Sequence, residues 1–98
     1  MLQMKIKIHS PGTAVTARLR AHVERQVGLA LGKFGDGIGE VTVHFSKEGD
    51  KSHCRIDVAL RIREVRIEHV DVDPARAVDR AAARLSDRIA LAVEQATA

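Results

Sequence analysis

The spacing of apolar residues restricts the fold of this chain more than any other feature, because it switches between the period of a strand and that of a helix. Leu2, Met4, Ile6 and Ile8 alternate with polar residues, which is typical of a half-buried β-strand. From residue 16 onward the apolar residues recur at helical spacing, at Leu19, Val23, Val27, Ala30, Leu31 and Phe34. A chain with this switch has to bury one face of a sheet and one face of a helix together.

Three further alternating runs and a second helical run follow. The alternation extends through residues 41–45, 54–62 and 64–72, although it is less regular in the last run. A second helix is predicted to begin at Pro74 with Asp73 as its N-cap, and its apolar stripe comprises Val78, Ala81, Ala82, Leu85, Ile89 and Ala92. Thr16 is the predicted N-cap of the first helix, and Gly32 is predicted to end that helix in the left-handed conformation.

The predicted order of elements is therefore β-α-β-β-β-α. The strand–helix–strand start implies a right-handed crossover between parallel strands, and the short later connections favour antiparallel pairing. We expect an α+β two-layer sandwich, with two helices packed on one face of a four-stranded mixed sheet and residues 1–98 forming a single domain. The other face of the sheet is expected to be solvated and to carry Lys5, Lys7, His44, Arg55, Asp57, Arg61 and either Arg66 or Glu68.

Composition excludes several classes of protein. Phe34 and Phe45 are the only aromatic residues, which disfavours a single-strand binder that stacks bases on aromatic rings. The single cysteine, Cys54, excludes an internal disulfide and suits a reducing compartment. No apolar run approaches the roughly 20 residues that a membrane helix needs, and the N-terminus lacks the continuous apolar core of a signal peptide. We therefore expect a cytoplasmic protein without membrane contacts.

The sequence contains no constellation that predicts an enzyme. It has no phosphate-binding lysine loop, no HExxH and no CxxC, and the glycines of "GKFGDGIG" follow a helix instead of opening one. His44 and His53 flank a predicted hairpin turn and could approach each other, but two histidines and one cysteine fall short of the four ligands of a structural zinc site. Neither a cofactor, nor a metal, nor a small-molecule substrate is expected.

Arginines provide the remaining signal. Arg76, Arg80, Arg84 and Arg88 occupy every fourth position of the second helix, in a chain with a net charge of +3 and a pI of about 9.5. One interpretation is contact with the phosphates of a nucleic acid. The alternative is that Asp79, Asp87 and Glu94 on the same helix neutralise the stripe while the long side chains cover apolar surface. On the first helix Arg18, His22 and Arg25 form a second cationic strip, with Lys33 beyond its end.

Several short stretches resemble the ribosome hibernation-promoting factor and ribosome-associated inhibitor family, also known as sigma-54 modulation proteins. "VTARLRAHVERQV" is similar to the first-helix signature of that family, with matches at Val15, Thr16, Leu19, Arg20, Val23 and Glu24. "KFGDGI" resembles the aromatic–aspartate segment that follows that helix. "DPARAVDRAAARL" resembles the second-helix signature, with matches at Asp73, Ala77, Val78, Asp79 and Leu85, and with Arg84 in place of a lysine. Asp87 stands where the family usually has an arginine, and Arg88 comes one position later.

The resemblance implies the same two-helix, four-stranded fold and a non-catalytic function. Members of the family bind the small ribosomal subunit in the channel of messenger and transfer RNA, and they silence idle ribosomes in stationary phase or stress. This chain is expected to resemble the short form, because it stops after the second helix. Together with the cationic strips, the resemblance implies that rRNA phosphates are contacted by Arg18, Arg25, Lys33, Arg80, Arg84 and Arg88.

Two other functions fit the sequence. A double-stranded RNA-binding domain has the order α-β-β-β-α, although the first-helix signature and the extra leading strand argue against it. A protein–protein adaptor of the same fold could have lost ribosome binding. In that case Leu29 and Leu91, which lie off the apolar stripes, would suit a partner surface or a weak homodimer.

Overall fold

A computed structural model describes residues 5–11, 15–61 and 63–97. Its elements are β1 (Lys5–His9), α1 (Ala17–Leu31), a 3₁₀ helix (Gly32–Gly37), β2 (Ile38–Glu48), β3 (Lys51–Leu60), β4 (Glu64–Asp71) and α2 (Pro74–Thr97). The predicted order of elements and the α+β class are confirmed. The predicted strand positions at Leu2, Met4 and Ile62 lie outside the described residues.

The four strands form one mixed sheet in the order β1-β2-β3-β4. β1 pairs with β2 in parallel, as a crossover through α1 requires, and the other neighbours are antiparallel. The register aligns Val43 with Ile56, and Ile56 with Ile67, so that one face of the sheet is apolar. β1, β2 and β4 point the same way, and α1 and α2 therefore run in the same direction above that face.

The core lies between this apolar face and the two helices. Strands and helices contribute side chains with no exposed surface, among them Val23, Val27, Leu31, Val41, Val43, Ile56, Val58, Leu85 and Ile89. α2 packs over β3 and β4 and beside α1. Burial of a Val, Leu or Ile side chain stabilises a fold by about 1.5–3 kcal/mol, so a core of mostly aliphatic side chains, with Phe45 buried among them, holds the sandwich together.

Thr16 caps α1, as predicted. Its hydroxyl oxygen accepts a hydrogen bond from the Leu19 backbone N–H at 3.1 Å, and its extended backbone (φ −72°, ψ 161°) directs the chain into the helix. Because the Thr16→Ala substitution leaves that N–H without its partner, we expect the free energy of unfolding to fall by about 1 kcal/mol. Urea denaturation measures the loss, and Thr16→Ser, which keeps the hydroxyl, should restore most of it. Equal stability of the alanine variant and the wild type would show that the cap contributes nothing.

The prediction of a left-handed end for α1 is wrong. Gly32 has φ −57° and ψ −34°, and its N–H still bonds to the Gly28 carbonyl. The chain does not reverse there; it tightens into the 3₁₀ helix, in which the half-buried ring of Phe34 packs against the core. Among the described residues, positive φ occurs at Gly49 (65°), in the turn between β2 and β3.

Candidate nucleic-acid interface

The six predicted phosphate contacts are all exposed, but they do not form one patch. Arg18 and Arg25 lie on α1, Lys33 lies on the 3₁₀ helix, and the remaining three, Arg80, Arg84 and Arg88, lie on α2. Lys33 is separated from Arg18 by the length of α1, which at 1.5 Å per residue is roughly 20 Å. Its ammonium group lies 5.4 Å from the centre of the Phe34 ring, a cation–π contact.

Arg18 and Arg25 flank a groove where the first turns of the two helices meet. The groove has a volume of about 610 Å³ and is lined by Thr16, Arg18, Leu19, Ala21, His22, Arg25, Pro74 and Ala75. No ion pair between described residues involves Arg18, and the side chain of Arg25 contacts His22 Nδ1 at 3.4 Å. These two arginines therefore face solvent beside α2, as expected for a basic strip on the first helix.

Asp79 fastens α1 to α2 and does not neutralise the arginine stripe of its own helix. Its Oδ1 lies 2.6 Å from His22 Nε2 and accepts a hydrogen bond from Gln26 Nε2 at 2.9 Å. With Arg25 donating to His22 Nδ1, the ring proton belongs on Nε2, which donates to Asp79. The interpretation in which acids along α2 neutralise the arginines therefore fails at Asp79.

The arginines of α2 lie on the opposite flank of that helix, toward β4. Arg80 Nε is 3.9 Å from Asp71 Oδ2, near the end of β4. Arg88 lines a cleft of about 240 Å³ beside the start of β4, together with Arg63 and Arg66. Arg84 falls between them, one helical turn from each. We call Arg80, Arg84 and Arg88 the α2 arginine row.

The α2 arginine row is separate from the α1 strip, and most of its charge is unpaired. No ion pair between residues that the structure describes involves Arg84 or Arg88, and the contact of Arg80 with Asp71 is long. The two helices lie side by side on the sheet. Their cationic strips, however, face different directions, because α1 covers one flank of α2 and β4 lies under the other.

Sequence reasoning missed Arg63 beside the α2 arginine row and placed Arg66 only on the sheet. Both residues join Arg88 at the cleft. Their proximity depends on where α2 crosses the sheet, and no local pattern encodes that position. The available signal was the cluster of arginines in "RIREVR", immediately before and within the last strand.

The outer face of the sheet carries paired charges of both signs, as predicted. Asp57 is at its centre, with Arg66 Nε donating to Oδ1 at 2.8 Å and His44 Nε2 lying 3.2 Å from Oδ2. Arg55 Nε lies 3.4 Å from the same oxygen without a hydrogen bond. Among the described residues of this face, Lys7 Nζ also pairs with Glu40 Oε1 at 3.0 Å, and His53 Nε2 lies 3.5 Å from Glu68 Oε2. Cations here are held by carboxylates, which leaves less charge for a polyanion than the helices offer.

Two expectations about this face and its hairpin are corrected. Arg61 does not lie on the face, because β3 ends at Leu60 and Arg61 occupies the following bend. His44 and His53 are not directly opposite each other: the register pairs His44 with Arg55 and Ser46 with His53, so the two histidines are diagonal neighbours. In the part of the chain that the structure describes, no three His, Cys, Asp or Glu side chains are grouped to hold a metal ion.

Cys54 lies on the opposite face of β3 and is fully buried in the core. Burial raises the pKa of its thiol to about 12, so that the thiol stays protonated at neutral pH. Because the thiolate is the reactive form, this cysteine packs as a small apolar side chain and is not a nucleophile.

His44 should make the stability of the fold depend on pH below about 6.5, the usual pKa of a histidine. Burial and the neighbouring Arg55 lower its pKa from the usual value, so the folded state binds fewer protons than the unfolded state in this window. Stability should therefore fall as the pH falls below about 6.5, and the His44→Asn variant should show a shallower slope. Urea midpoints at pH 7, 6 and 5 measure both slopes. Parallel slopes would show that His44 does not contribute.

Neither helix, within the residues that are described, combines the length and the apolarity needed to cross a membrane.

Solved structures with the same fold are known. A ribosomal subunit interface protein from Coxiella burnetii has a TM-score of 0.86 at 18% identity, covering 93% of this chain and 99% of that chain. The N-terminal domain of Thermus thermophilus Protein Y has a TM-score of 0.78 at 31% identity, covering 88% of this chain and 96% of that chain. No curated protein matches the sequence.

The match to a protein family extends over nearly the whole chain. Residues 6–95 match the family described as sigma 54 modulation protein / S30EA ribosomal protein. That range includes β1, whose parallel pairing with β2 an α-β-β-β-α RNA-binding domain lacks. The fold, the two helix signatures and this match agree: the chain belongs to the sigma 54 modulation protein / S30EA ribosomal protein family.

Proposed function

We propose that this protein binds the small ribosomal subunit through rRNA phosphates, occludes the channel of messenger and transfer RNA, and so inhibits translation without catalysing a reaction. The observation that carries the proposal is the α2 arginine row, in which Arg84 and Arg88 are exposed and have no ion-pair partner among the described residues. Membership in a family of ribosomal proteins supplies the partner.

Geometry and charge favour phosphate as the group that the row contacts. Arginines four residues apart on a helix are about 6 Å apart along its axis. A guanidinium presents several N–H donors in a plane and can form two parallel hydrogen bonds to one phosphate. Without stacking platforms, affinity would come from charge and shape, as in the recognition of folded RNA through its backbone. Arg18, Arg25 and Lys33 would extend the contact along α1.

Occlusion is a sufficient mechanism because messenger and transfer RNA can enter the channel only when it is empty. A rigid sandwich of 98 residues with buried hydrophobic packing can hold such a position without moving parts. We propose that the protein acts in the cytoplasm on idle ribosomes, in stationary phase or stress, and releases them when growth resumes.

Displacement of transfer RNA tests this mechanism. Small subunits programmed with a short messenger and a fluorescent transfer RNA are titrated with the purified protein. We expect stoichiometric loss of the transfer RNA signal, and a reciprocal loss of protein binding when transfer RNA is in excess. Simultaneous binding of both would exclude occlusion, even if the protein remained bound to the subunit.

A further inference from the structure

β4 is an open edge of the sheet. It pairs with β3 on one side, and no described strand lies on its other side. Its eight residues, Glu64–Asp71, therefore present free backbone N–H and C=O groups on that side. Such an edge can accept an extended peptide as an additional strand, with main-chain hydrogen bonds providing affinity and side-chain contacts providing specificity.

The cleft beside this edge is positioned to receive the side chains of an added strand. It separates the C-terminal half of α2 from the start of β4 and is lined by Arg63, Glu64, Val65, Arg66, Arg88, Leu91, Ala92 and Gln95. Leu91 is half exposed there. Alternate side chains of an added strand point toward the helix layer. They would enter this cleft and the surface beyond it under the α2 arginine row.

The α2 arginine row follows β4 along its length. Arg80 lies near Asp71 at the end of the strand, and Arg88 lies near Arg63 and Arg66 at its start, so α2 and β4 run in opposite directions. The arginines repeat about every 6 Å along the helix, and alternate side chains of a strand repeat about every 6.7 Å. Successive helix-facing side chains of an added strand would therefore each meet one arginine.

Charge decides which strand fits. In a dimer formed through two β4 edges, the α2 helices would lie side by side across the two-fold axis, and two copies of the α2 arginine row would face each other, with Arg84 and Arg88 outside any ion pair between described residues. Mutual repulsion disfavours that arrangement, in the way that charged residues generally protect open edges. A strand with carboxylates on its helix-facing side meets the opposite field and is attracted.

We propose that the β4 edge binds an extended acidic segment of a partner protein as a fifth strand, with its carboxylates against Arg80, Arg84 and Arg88. Peptide binding differs from ribosome binding in one requirement: it needs the free backbone groups of β4 as well as the arginines. It shares the α2 arginine row with the proposed rRNA contact, so the acidic segment and RNA should compete for the protein.

Three blocked peptides of about ten residues separate strand addition from simple charge attraction. In the first, Glu and Thr alternate; in the second, Glu and Pro alternate; in the third, Lys and Thr alternate. The first two carry the same charge, but proline fixes φ near −65° and removes every second N–H, so the Glu–Pro peptide favours the polyproline II conformation and cannot add as a regular strand. Titration followed by NMR spectra of the full chain gives each affinity and shows which amides respond.

We expect the Glu–Thr peptide to bind and to protect β4 amides at alternate positions from hydrogen exchange. The Glu–Pro peptide should bind at least about tenfold more weakly, and the Lys–Thr peptide should not bind. Arg84→Gln combined with Arg88→Gln should weaken the Glu–Thr peptide by a similar factor.

The proposal is overturned if the Glu–Thr and Glu–Pro peptides bind equally, if the responses are confined to α2, or if no peptide binds while RNA does. Each of these results leaves the ribosome proposal intact, because binding to small subunits is measured separately by co-sedimentation. Conversely, loss of co-sedimentation with retained peptide binding would contradict the ribosome proposal and support the peptide proposal.

Discussion

Replacing Arg84 and Arg88 together by glutamate abolishes binding to small ribosomal subunits if the α2 arginine row contacts rRNA. Both side chains are exposed, and neither is held by a described carboxylate, so the substitution removes two phosphate contacts and adds two repulsive charges. We expect an affinity loss of about 100-fold or more at near-physiological salt, where the electrostatic part of binding depends on the number of phosphates neutralised. Sedimentation of the variant with subunits, quantified over a concentration series, measures the loss.

Lys47 and Lys51 provide a matched control for the charge change. Both are exposed at the turn between β2 and β3, and neither takes part in an ion pair between described residues. Lys47→Glu combined with Lys51→Glu changes the net charge as much as the arginine variant does, at a different site. If the two variants lose affinity equally, net charge and not the α2 arginine row explains binding. Unchanged binding of the arginine variant would contradict the assignment of the site.

Replacing Leu85 by alanine should destabilise the fold by about 3 kcal/mol, within a range of about 2–5 kcal/mol. Leu85 is fully buried on the core side of α2, next in sequence to Arg84, and its removal leaves a cavity between α2 and the sheet. For a domain of this size, such a loss lowers the melting temperature on the order of 15 °C. Thermal unfolding followed by circular dichroism measures the shift.

Leu91→Ala is the control for this substitution, because Leu91 lies on the same helix with 50% of its surface exposed. Its loss should cost about 0.5 kcal/mol or less. Below its melting temperature the Leu85→Ala variant should still bind subunits, because its arginines are intact. Similar stability losses for Leu85→Ala and Leu91→Ala would contradict the placement of α2.

The fold could be predicted from the sequence because the spacing of apolar residues within each segment indicates whether that segment is a strand or a helix. The alternation at Val41, Val43 and Phe45 and the helical stripe around Leu85 are local signals, and the apolar faces that they define can be buried in few ways. The end of α1 was predicted wrongly, because glycine permits a left-handed end without requiring one. At Gly32 packing of Phe34 against the core favours a 3₁₀ helix instead.

The candidate site was predictable as a set of residues but not as a surface. The four-residue spacing of Arg80, Arg84 and Arg88 places them on one side of a helix, and in the structure Arg80 and Arg88 both lie near β4. The role of Asp79 depends on which flank of α2 touches α1, a long-range fact that no short pattern contains. For the same reason, the meeting of Arg88 with Arg63 at β4 was not foreseen.

Co-sedimentation of the purified protein with small ribosomal subunits, at low salt and again near physiological salt, tests the central claim most directly. If the protein is a ribosome-binding inhibitor, it remains with the subunits at both salt concentrations, with a slope of affinity against salt that reports several phosphate contacts. Absence of binding at both concentrations would contradict this claim. Binding at low salt that disappears entirely near physiological salt would also contradict it, because it indicates only non-specific attraction between a basic domain and RNA.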